Sequence, residues 1–221
     1  MEKYIIIISG PSGGGKTTVA EELIVAEGNL EMSRSATTRE RRNDGKEDEY
    51  VYLTVDEFKH SIVSDDVLEY TEYGGNFYGT RRSEFERIFA MGKLPILVLD
   101  YVGVKNLREK LDYPVYSFYV YVGLEEASRR LSARDLANAP TEKQISTFNR
   151  RRAENINDYS LLPTLVDRYN AFVENSDLSA CIAEIQRLLA ELKRGEEAMP
   201  ICEKLRIAEA LRKSALCESS N

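Results

Sequence analysis

Apolar residues occur along this chain in short continuous runs and in helically spaced stripes. Residues 4–8, YIIII, are apolar at every position, which favours a strand buried on both faces, as in a parallel sheet covered by helices. Further buried strands are predicted at 95–99, 113–122 and 170–174. Apolar positions at helical spacing predict helices over 124–134 and 178–192. This alternation indicates an α/β fold with a mostly parallel central sheet.

One segment departs from the alternation. Residues 33–90 are rich in Arg, Asp, Glu, Tyr and Gly, and short apolar stretches such as 50–55 predict small strands. Asp56 is predicted to cap a helix that starts at Glu57. We interpret this segment as an inserted, small α+β lobe.

The end of the chain forms a separate segment. Residues 195–200 break the pattern, and a last helix follows with one apolar stripe. The residues of this stripe are Ile201, Leu205, Ala208 and Leu211. The stripe suits packing onto the domain, a homodimer contact or a frayed end, and the sequence does not choose among them.

Composition narrows the classes of partner. The 221 residues carry a formal net charge of −7, with 43% hydrophobic and 30% charged positions. An acidic chain is a poor default binder of nucleic acid or anionic membranes, so we expect neither as a partner.

The three cysteines are widely spaced and match no zinc or disulfide pattern, which predicts reduced thiols in a cytoplasmic protein. The first apolar run is too short for a signal peptide or a membrane span.

The strongest motif is at residues 10–17, GPSGGGKT, which fit the phosphate-loop pattern G-x-x-x-x-G-K-[ST]. The motif lies between the first predicted strand and a helix with Val19, Leu23 and Ile24 on one face, predicted to end near Gly28. Glycines let backbone N–H groups turn towards phosphate oxygens, and the positive end of the helix faces the same anion. Such a lysine reaches the β and γ phosphates of ATP, and the hydroxyl that follows binds Mg²⁺. The ATP-binding residues predicted from the motif are Gly10, Ser12, Gly13, Gly14, Gly15, Lys16, Thr17 and Thr18.

A carboxylate at the end of a neighbouring strand orients the metal ion in P-loop proteins. Asp100 directly follows the predicted strand at 95–99 and fits this role. We therefore predict Thr17 and Asp100 as magnesium ligands.

A second anion site is indicated in the lobe. Residues 35–42, SATTRERR, place three arginines and several hydroxyls in one short segment, and guanidinium groups bind phosphate through paired hydrogen bonds. Tyrosines, glycines and a carboxylate, Glu69, follow downstream. Glu69 is suited to accept the paired N1–H and N2–H groups of guanine, which adenine lacks.

Together these residues resemble the guanylate kinase family over about residues 4–193. The matching motifs are the loop SGPSGxGK, TTRxxR at 37–42, VDEF at 55–58, Glu69, GNFYGT at 75–80, and Gly103 with Val104 after Asp100. The implied fold is a P-loop kinase core, residues 1–32 and 91–195, with a helical lid at about 134–153. The implied GMP-binding lobe covers 33–90, and an extra C-terminal helical extension covers 196–221.

The resemblance also implies roles for individual residues. Those that would hold the GMP phosphate are Arg39, Arg42, Tyr50 and Tyr78. Those that would recognise guanine are Ser35, Glu69 and Thr80, with Asp100 near both the metal ion and GMP. Those that would act on ATP are the lid arginines Arg130 and Arg134, and Asn175 near the adenine.

Two regions depart from the family pattern. The family usually has Leu-Asp-x-Asp and then a Gln around Asp100, and this chain has Val98 and Val102 in the outer places. In the lid, Arg134 is followed by Asp135 instead of Gly, and the later lid arginine is displaced to the run 150–152. Any of the three arginines in this run fits after a shift of register. We predict that Arg151 is catalytic, together with Lys16, Arg130 and Arg134.

The predicted reaction transfers the γ-phosphoryl group of ATP to GMP with Mg²⁺ as cofactor, giving ADP and GDP. Two alternatives stay open, a P-loop kinase with a different nucleotide acceptor and a non-catalytic guanylate-kinase-like protein-binding module. Glu69 with Thr80 argues against the first. The intact sequence GKT at 15–17 argues against the second, because a pure binding module needs no phosphate cradle.

Overall fold

The computed structural model describes residues 2–41, 50–137 and 139–219. Its strands, β1 to β9, are Ile5–Ser9, Leu30–Met32, Ser35–Thr37, Tyr50–Tyr52, Val67–Tyr73, Asn76–Arg81, Leu94–Val98, Val115–Tyr121 and Ala171–Glu174. Its helices, α1 to α8, are Lys16–Glu27, Val55–Val63, Arg82–Ala90, Tyr101–Lys110, Leu124–Asp135, Glu142–Leu161, Leu178–Lys193 and Ile201–Ser219. Two 3-10 turns, Leu162–Thr164 and Val166–Arg168, follow α6. Within these ranges, no helix combines the length and the apolar character that crossing a membrane requires.

The main sheet has the strand order β2-β7-β1-β8-β9, and both β2 with β7 and β8 with β9 pair in parallel. β1 is buried at all of its positions, as its uninterrupted apolar sequence predicts. The predicted α/β class with a mostly parallel sheet is confirmed.

The chain divides into two compact units, Met1–Ile7 with Ala20–Val115 and Ile8–Val19 with Tyr116–Asn221. The segment predicted as the GMP-binding lobe, 33–90, falls within the first unit. The predicted lid, 134–153, and the C-terminal extension, 196–221, fall within the second.

The first unit contains a second sheet, of strand order β4-β3-β6-β5. β3 pairs in parallel with β4 and antiparallel with β6, which pairs antiparallel with β5. One face of this sheet packs on α2, where Ala36, Phe58 and Val67 form a buried cluster. The other face is therefore the one available to polar side chains.

The predicted start of α2 was wrong. The N-cap is Thr54, not Asp56, and the helix begins at Val55. The Thr54 hydroxyl accepts a hydrogen bond from the Glu57 N–H at 3.2 Å, and the Glu57 carboxylate accepts one from the Thr54 N–H at 2.7 Å. This reciprocal capping box satisfies two backbone donors at once, which Asp56 alone would not.

The stripe predicted for the last helix was half wrong. Ala208 and Leu211 are buried, whereas Ile201 and Leu205 are 47% and 38% exposed. The buried face of α8 instead runs through Lys204, Ala208, Leu211 and Ala215, and it packs on α6 and the turns that follow it. Hydrophobicity alone misses Lys204, because its aliphatic stem is buried while its Nζ donates to the Tyr169 carbonyl at 3.0 Å.

Candidate nucleotide-binding sites

Glycines of the loop between β1 and α1, among them Gly10 and Gly15, leave no room for a side chain. Gly10 has φ +141°, and a Cβ there would lie 1.9 Å from the Val120 carbonyl oxygen. Gly15 has φ +86°, and its Cβ would lie 2.4 Å from Nδ2 of Asn175. Both positions combine a left-handed φ with close contact, so the path of the loop depends on glycine.

Lys16, at the start of α1, folds its side chain back over this loop. Its Nζ donates to the carbonyl oxygens of Gly10, at 2.9 Å, and Pro11, at 2.8 Å. Phosphate oxygens are stronger acceptors than neutral carbonyls, because hydrogen bonds to charged groups are the stronger ones. The ammonium group is therefore well placed to exchange these carbonyls for an anion.

The charge on Lys16 is sensitive to its surroundings. Burial lowers its pKa to about 8, while Asp158 raises this pKa and Arg134 and Arg151 lower it. The two arginines must lie close enough to Lys16 for their charges to act on it.

A cavity of about 550 Å³ opens over the loop. The residues that line it are Ser12, Gly13, Gly15, Lys16, Thr17, Thr18, Arg130, Arg134, Arg151, Asn175, Ser176 and Leu178. Four of these lining residues are cations and none is a carboxylate, so the cavity suits a polyanion. Gly10 and Gly14, also predicted for ATP, are not among the lining residues; their carbonyls accept hydrogen bonds from Lys16 and Asn175.

The structure distinguishes among the arginines of the run 150–152. Arg151 lines the cavity. Arg150 pairs instead with Glu154 at 2.5 Å, and both side chains are largely exposed. Of the three arginines in the run, Arg151 is the one among the residues that line the cavity.

Asn175, at the end of β9, ties the cavity wall to the loop. Its side-chain Nδ2 donates to the Gly14 carbonyl at 2.9 Å, and its backbone carbonyl accepts from Nη2 of Arg130 at 2.9 Å. The side chain of Asn175 is buried. Residue Asn175 therefore contacts Gly14 through its side chain and Arg130 through its backbone.

A residue that the sequence analysis missed, Asn155 of α6, makes a matching contact. Its Oδ1 accepts from the Ser12 N–H and its Nδ2 donates to the Ser12 carbonyl, both at 2.8 Å. Asn155 lies one helical turn after Arg151, on the same face of α6, and Tyr159 follows with a 2.5 Å bond to the Val122 carbonyl. The spacing of Arg151, Asn155 and Tyr159 at i, i+4 and i+8 was the signal in the sequence that Asn155 shares a helix face with Arg151.

The residues predicted for GMP lie largely on one face of the four-stranded sheet. The register pairs Ser35 with Tyr50, Thr37 with Tyr78, and Glu69 with Thr80. Directly paired residues share a face and successive residues alternate. Because Ala36 and Gly79, which are paired, belong to the face that packs on Phe58, these six side chains belong to the other face.

Glu69 is the carboxylate of this face. Oε1 accepts a hydrogen bond from the Thr80 hydroxyl at 2.5 Å, and Thr80 itself is buried. Desolvation raises the pKa of Glu69, the Thr80 bond opposes this, and the charge of Asp100 raises the pKa further. Asp100 is thus near enough to Glu69 for the two carboxylates to interact.

Arg39 lies beside the tyrosines of the same face. Its guanidinium carbon is 5.1 Å from the centre of the Tyr50 ring, and the Tyr50 ring meets the Tyr78 ring edge-on at 6.3 Å. Three of the four residues predicted for the GMP phosphate therefore form a row: Arg39 lies against Tyr50, and Tyr50 lies against Tyr78. The fourth, Arg42, lies outside the described residues.

Asp100 is exposed and caps α4. Its Oδ1 accepts from the N–H groups of Val102, at 3.0 Å, and Gly103, at 2.8 Å. This fixes the position of the carboxylate. Val102, in the place where the family pattern has an amide, is 46% exposed.

Comparisons with known proteins find similar chains over most of this one. A family model described as guanylate kinase matches residues 2–192. A guanylate kinase of Clostridium perfringens is 34% identical over 187 residues, which cover 84% of this chain and 82% of that protein. Another, from Clostridium acetobutylicum, is 34% identical over 192 residues and covers 86% of each chain. The crystal structure of guanylate kinase from Anaplasma phagocytophilum is 26% identical, with a TM-score of 0.58 over 90% of this chain and 89% of that one.

Proposed function

Because this chain belongs to the guanylate kinase family, we propose that it transfers the γ-phosphoryl group of ATP to GMP, releasing ADP and GDP. The observation that carries the choice of acceptor is the Glu69 carboxylate, held by Thr80 on a polar sheet face beside Arg39 and the tyrosines. Guanine offers this carboxylate paired N–H donors at N1 and N2. Adenine would leave a partly buried carboxylate without them, and such unpaired groups give strong discrimination.

We assign binding of the GMP phosphate to Arg39 and Arg42, with hydroxyls from Tyr50 and Tyr78. Guanidinium groups bind phosphate through two parallel hydrogen bonds. Ser35 completes the guanine site, and the lobe 33–90 is the part of the chain that binds GMP.

We assign ATP to the cavity over the phosphate loop. The loop amides and Lys16 bind the β and γ phosphates, and the lining arginines Arg130, Arg134 and Arg151 neutralise charge on the transferred group. We assign Asn175, another lining residue, to the adenine end. Segment 134–153 is the lid, whose closure excludes water as a competing acceptor.

The donor atoms present suit Mg²⁺ bound together with ATP. Among the described residues, no cluster of three or more His, Cys, Asp or Glu forms a metal site. Phosphate oxygens of the substrate commonly complete the ligands of Mg²⁺. Thr17 offers an exposed hydroxyl in the cavity, a hard oxygen of the kind Mg²⁺ prefers, and Asp100 offers a fixed carboxylate. When bound, Mg²⁺ supplies positive charge to the β and γ phosphates.

The chemistry requires positioning more than proton transfer. An oxygen of the GMP phosphate forms a bond to the γ-phosphorus of ATP, and the bond from that phosphorus to the β–γ bridging oxygen breaks. The attacking oxygen is already ionised near neutral pH, so no general base is needed. Catalysis then consists of alignment and charge stabilisation by Lys16 and the arginines.

An acceptor panel with MgATP tests this proposal. We expect GMP to be phosphorylated at least about 100-fold more efficiently than AMP, CMP or UMP, and Lys16→Ala to abolish the activity. Lys105→Ala, in an exposed ion pair with Glu109, is the matched control and should leave it unchanged. Comparable rates on AMP would overturn the guanine assignment. No transfer to any nucleotide, with no ATP binding by calorimetry, would favour a protein-binding module.

A further inference from the structure

Asp135, the last residue of α5, connects two arginines of the ATP cavity. Its Oδ1 accepts from Nε of Arg134 at 2.8 Å, and its Oδ2 accepts from Nη1 of Arg151 at 2.7 Å. A weaker bond of 3.4 Å joins Oδ2 to Nη2 of Arg134. The Asp135 side chain is only 11% exposed, so one nearly buried carboxylate links α5 to α6.

The charges nearby explain why such a link is useful. Lys16, Arg134 and Arg151 are like charges around one cavity, and both arginines act on the pKa of Lys16. The Arg134 side chain is 56% exposed and that of Arg151 is 32% exposed. Mutual repulsion and side-chain entropy both favour their spreading into solvent, unless a carboxylate holds them.

Asp135 stays charged in this role. The hydrogen bond from Arg134 lowers its pKa, against desolvation, and the bond from Arg151 lowers it further. A guanidinium group has five N–H donors. Asp135 engages Nε and Nη2 of Arg134 but only Nη1 of Arg151, which leaves further donors on each arginine for phosphate oxygens.

We propose that Asp135 is a positioning residue for phosphoryl transfer, which holds Arg134 and Arg151 side by side over the ATP phosphates. This rests on the function proposed above. It also connects two features of the sequence, because the acidic residue after Arg134 and the arginine displaced to position 151 are the two ends of one ion pair.

Asp135→Asn tests the proposal, since it keeps the shape of the side chain and removes its charge. We expect kcat to fall about 10-fold or more, while the Kd for ATP stays unchanged or decreases, because the cavity becomes more positive. Asp135→Glu should restore part of kcat. Glu154→Gln is the matched control: it removes the carboxylate of the Arg150 pair on α6, outside the cavity, and should change neither value.

Two results would overturn the proposal. One is a kcat for Asp135→Asn within about twofold of the wild type. The other is a parallel loss of ATP affinity, GMP affinity and melting temperature, which would indicate a role in folding alone.

A spectroscopic measurement separates this proposal from the proposed function. If the wild-type protein transfers no phosphoryl group to GMP, the function fails, yet the link itself can still be examined by NMR of the arginine Nε–H groups. We expect Asp135→Asn to shift the Nε–H resonance of Arg134, and Glu154→Gln to leave it in place. A resonance that does not respond to Asp135→Asn refutes the link.

Discussion

The Thr80 hydroxyl donates a 2.5 Å hydrogen bond to Oε1 of Glu69 across the β5–β6 ladder. The two residues are direct partners in the register, so the sheet itself sets the orientation of the carboxylate. An ionised carboxylate has about four lone-pair sites, so Glu69 keeps acceptor capacity for a ligand beside this bond. Oxygen acceptors held in this way can discriminate between bases, because they do not rotate to suit a base without the right donors.

Glu69→Gln should raise the KM for GMP by about 10- to 100-fold, because an amide N–H₂ group would replace one acceptor facing the donors of guanine. The KM for ATP should stay the same. Steady-state kinetics with each nucleotide varied in turn measures both values. Glu72→Gln, an exposed position of the same strand, is the control, and equal GMP constants in the two variants would contradict the role of Glu69.

The raised pKa of Glu69 predicts that kcat/KM for GMP decreases at acidic pH. Only the ionised carboxylate accepts both N–H groups, so kcat/KM for GMP should fall as pH drops through a value above the usual glutamic acid range. Because the folded pKa exceeds the unfolded one, the stability linked to Glu69 is present at low pH and is lost as pH rises through the folded pKa. Glu69→Gln should remove this decrease. A value of kcat/KM for GMP that stays constant in the wild type down to about pH 4.3 would argue against the role of Glu69.

The lowered pKa of Lys16 predicts that kcat/KM for ATP decreases at alkaline pH. With a pKa of about 8, it loses its charge in the free enzyme above that pH, and kcat/KM for ATP should decline there. Bound triphosphate favours the charged form, so kcat should decline less. The folded pKa lies below the unfolded one, so the stability linked to Lys16 increases between about pH 8 and pH 10.4. Lys16→Arg should abolish this decrease. A wild-type kcat/KM for ATP that stays constant up to pH 10 would contradict this account.

Asn155→Ala should weaken ATP binding without affecting GMP binding. The substitution leaves the part-buried Ser12 N–H and carbonyl without their partner, which costs at most about 1–3 kcal/mol, the value for a buried group. Thermal unfolding and separate titrations of ATP and GMP measure the two effects. Asn157→Ala, at an exposed site on the same helix, should behave as wild type. Unchanged ATP affinity in Asn155→Ala would remove Asn155 from the ATP site.

Sequence reasoning worked best where a local pattern carries its own chemistry. β1 and the loop after it follow from an apolar run and a glycine motif. Glu69 was predicted from the chemistry of guanine and Thr80 from the family resemblance, and only the register of β5 and β6 shows that the two residues are paired.

What the sequence did not reveal depends on contacts between distant segments. Asn155 meets Ser12 across 143 positions, and no local pattern marks it except its spacing from Arg151. Lys204 is a charged residue whose burial becomes apparent only once Tyr169 lies beside it. The cap at Thr54 was available in the sequence, as Thr-x-x-Glu, and was missed because Asp56 is a good cap in isolation.

The central claim is that two separate sets of residues bind two nucleotides, with Lys16 in the set for ATP and Glu69 in the set for GMP. Calorimetric titration of each nucleotide against Lys16→Ala and Glu69→Gln tests it most directly. We predict a crossed result: Lys16→Ala loses affinity for ATP and keeps it for GMP, and Glu69→Gln does the reverse. GMP binding that is unchanged in Glu69→Gln, or equal losses for both nucleotides in both variants, would contradict the claim.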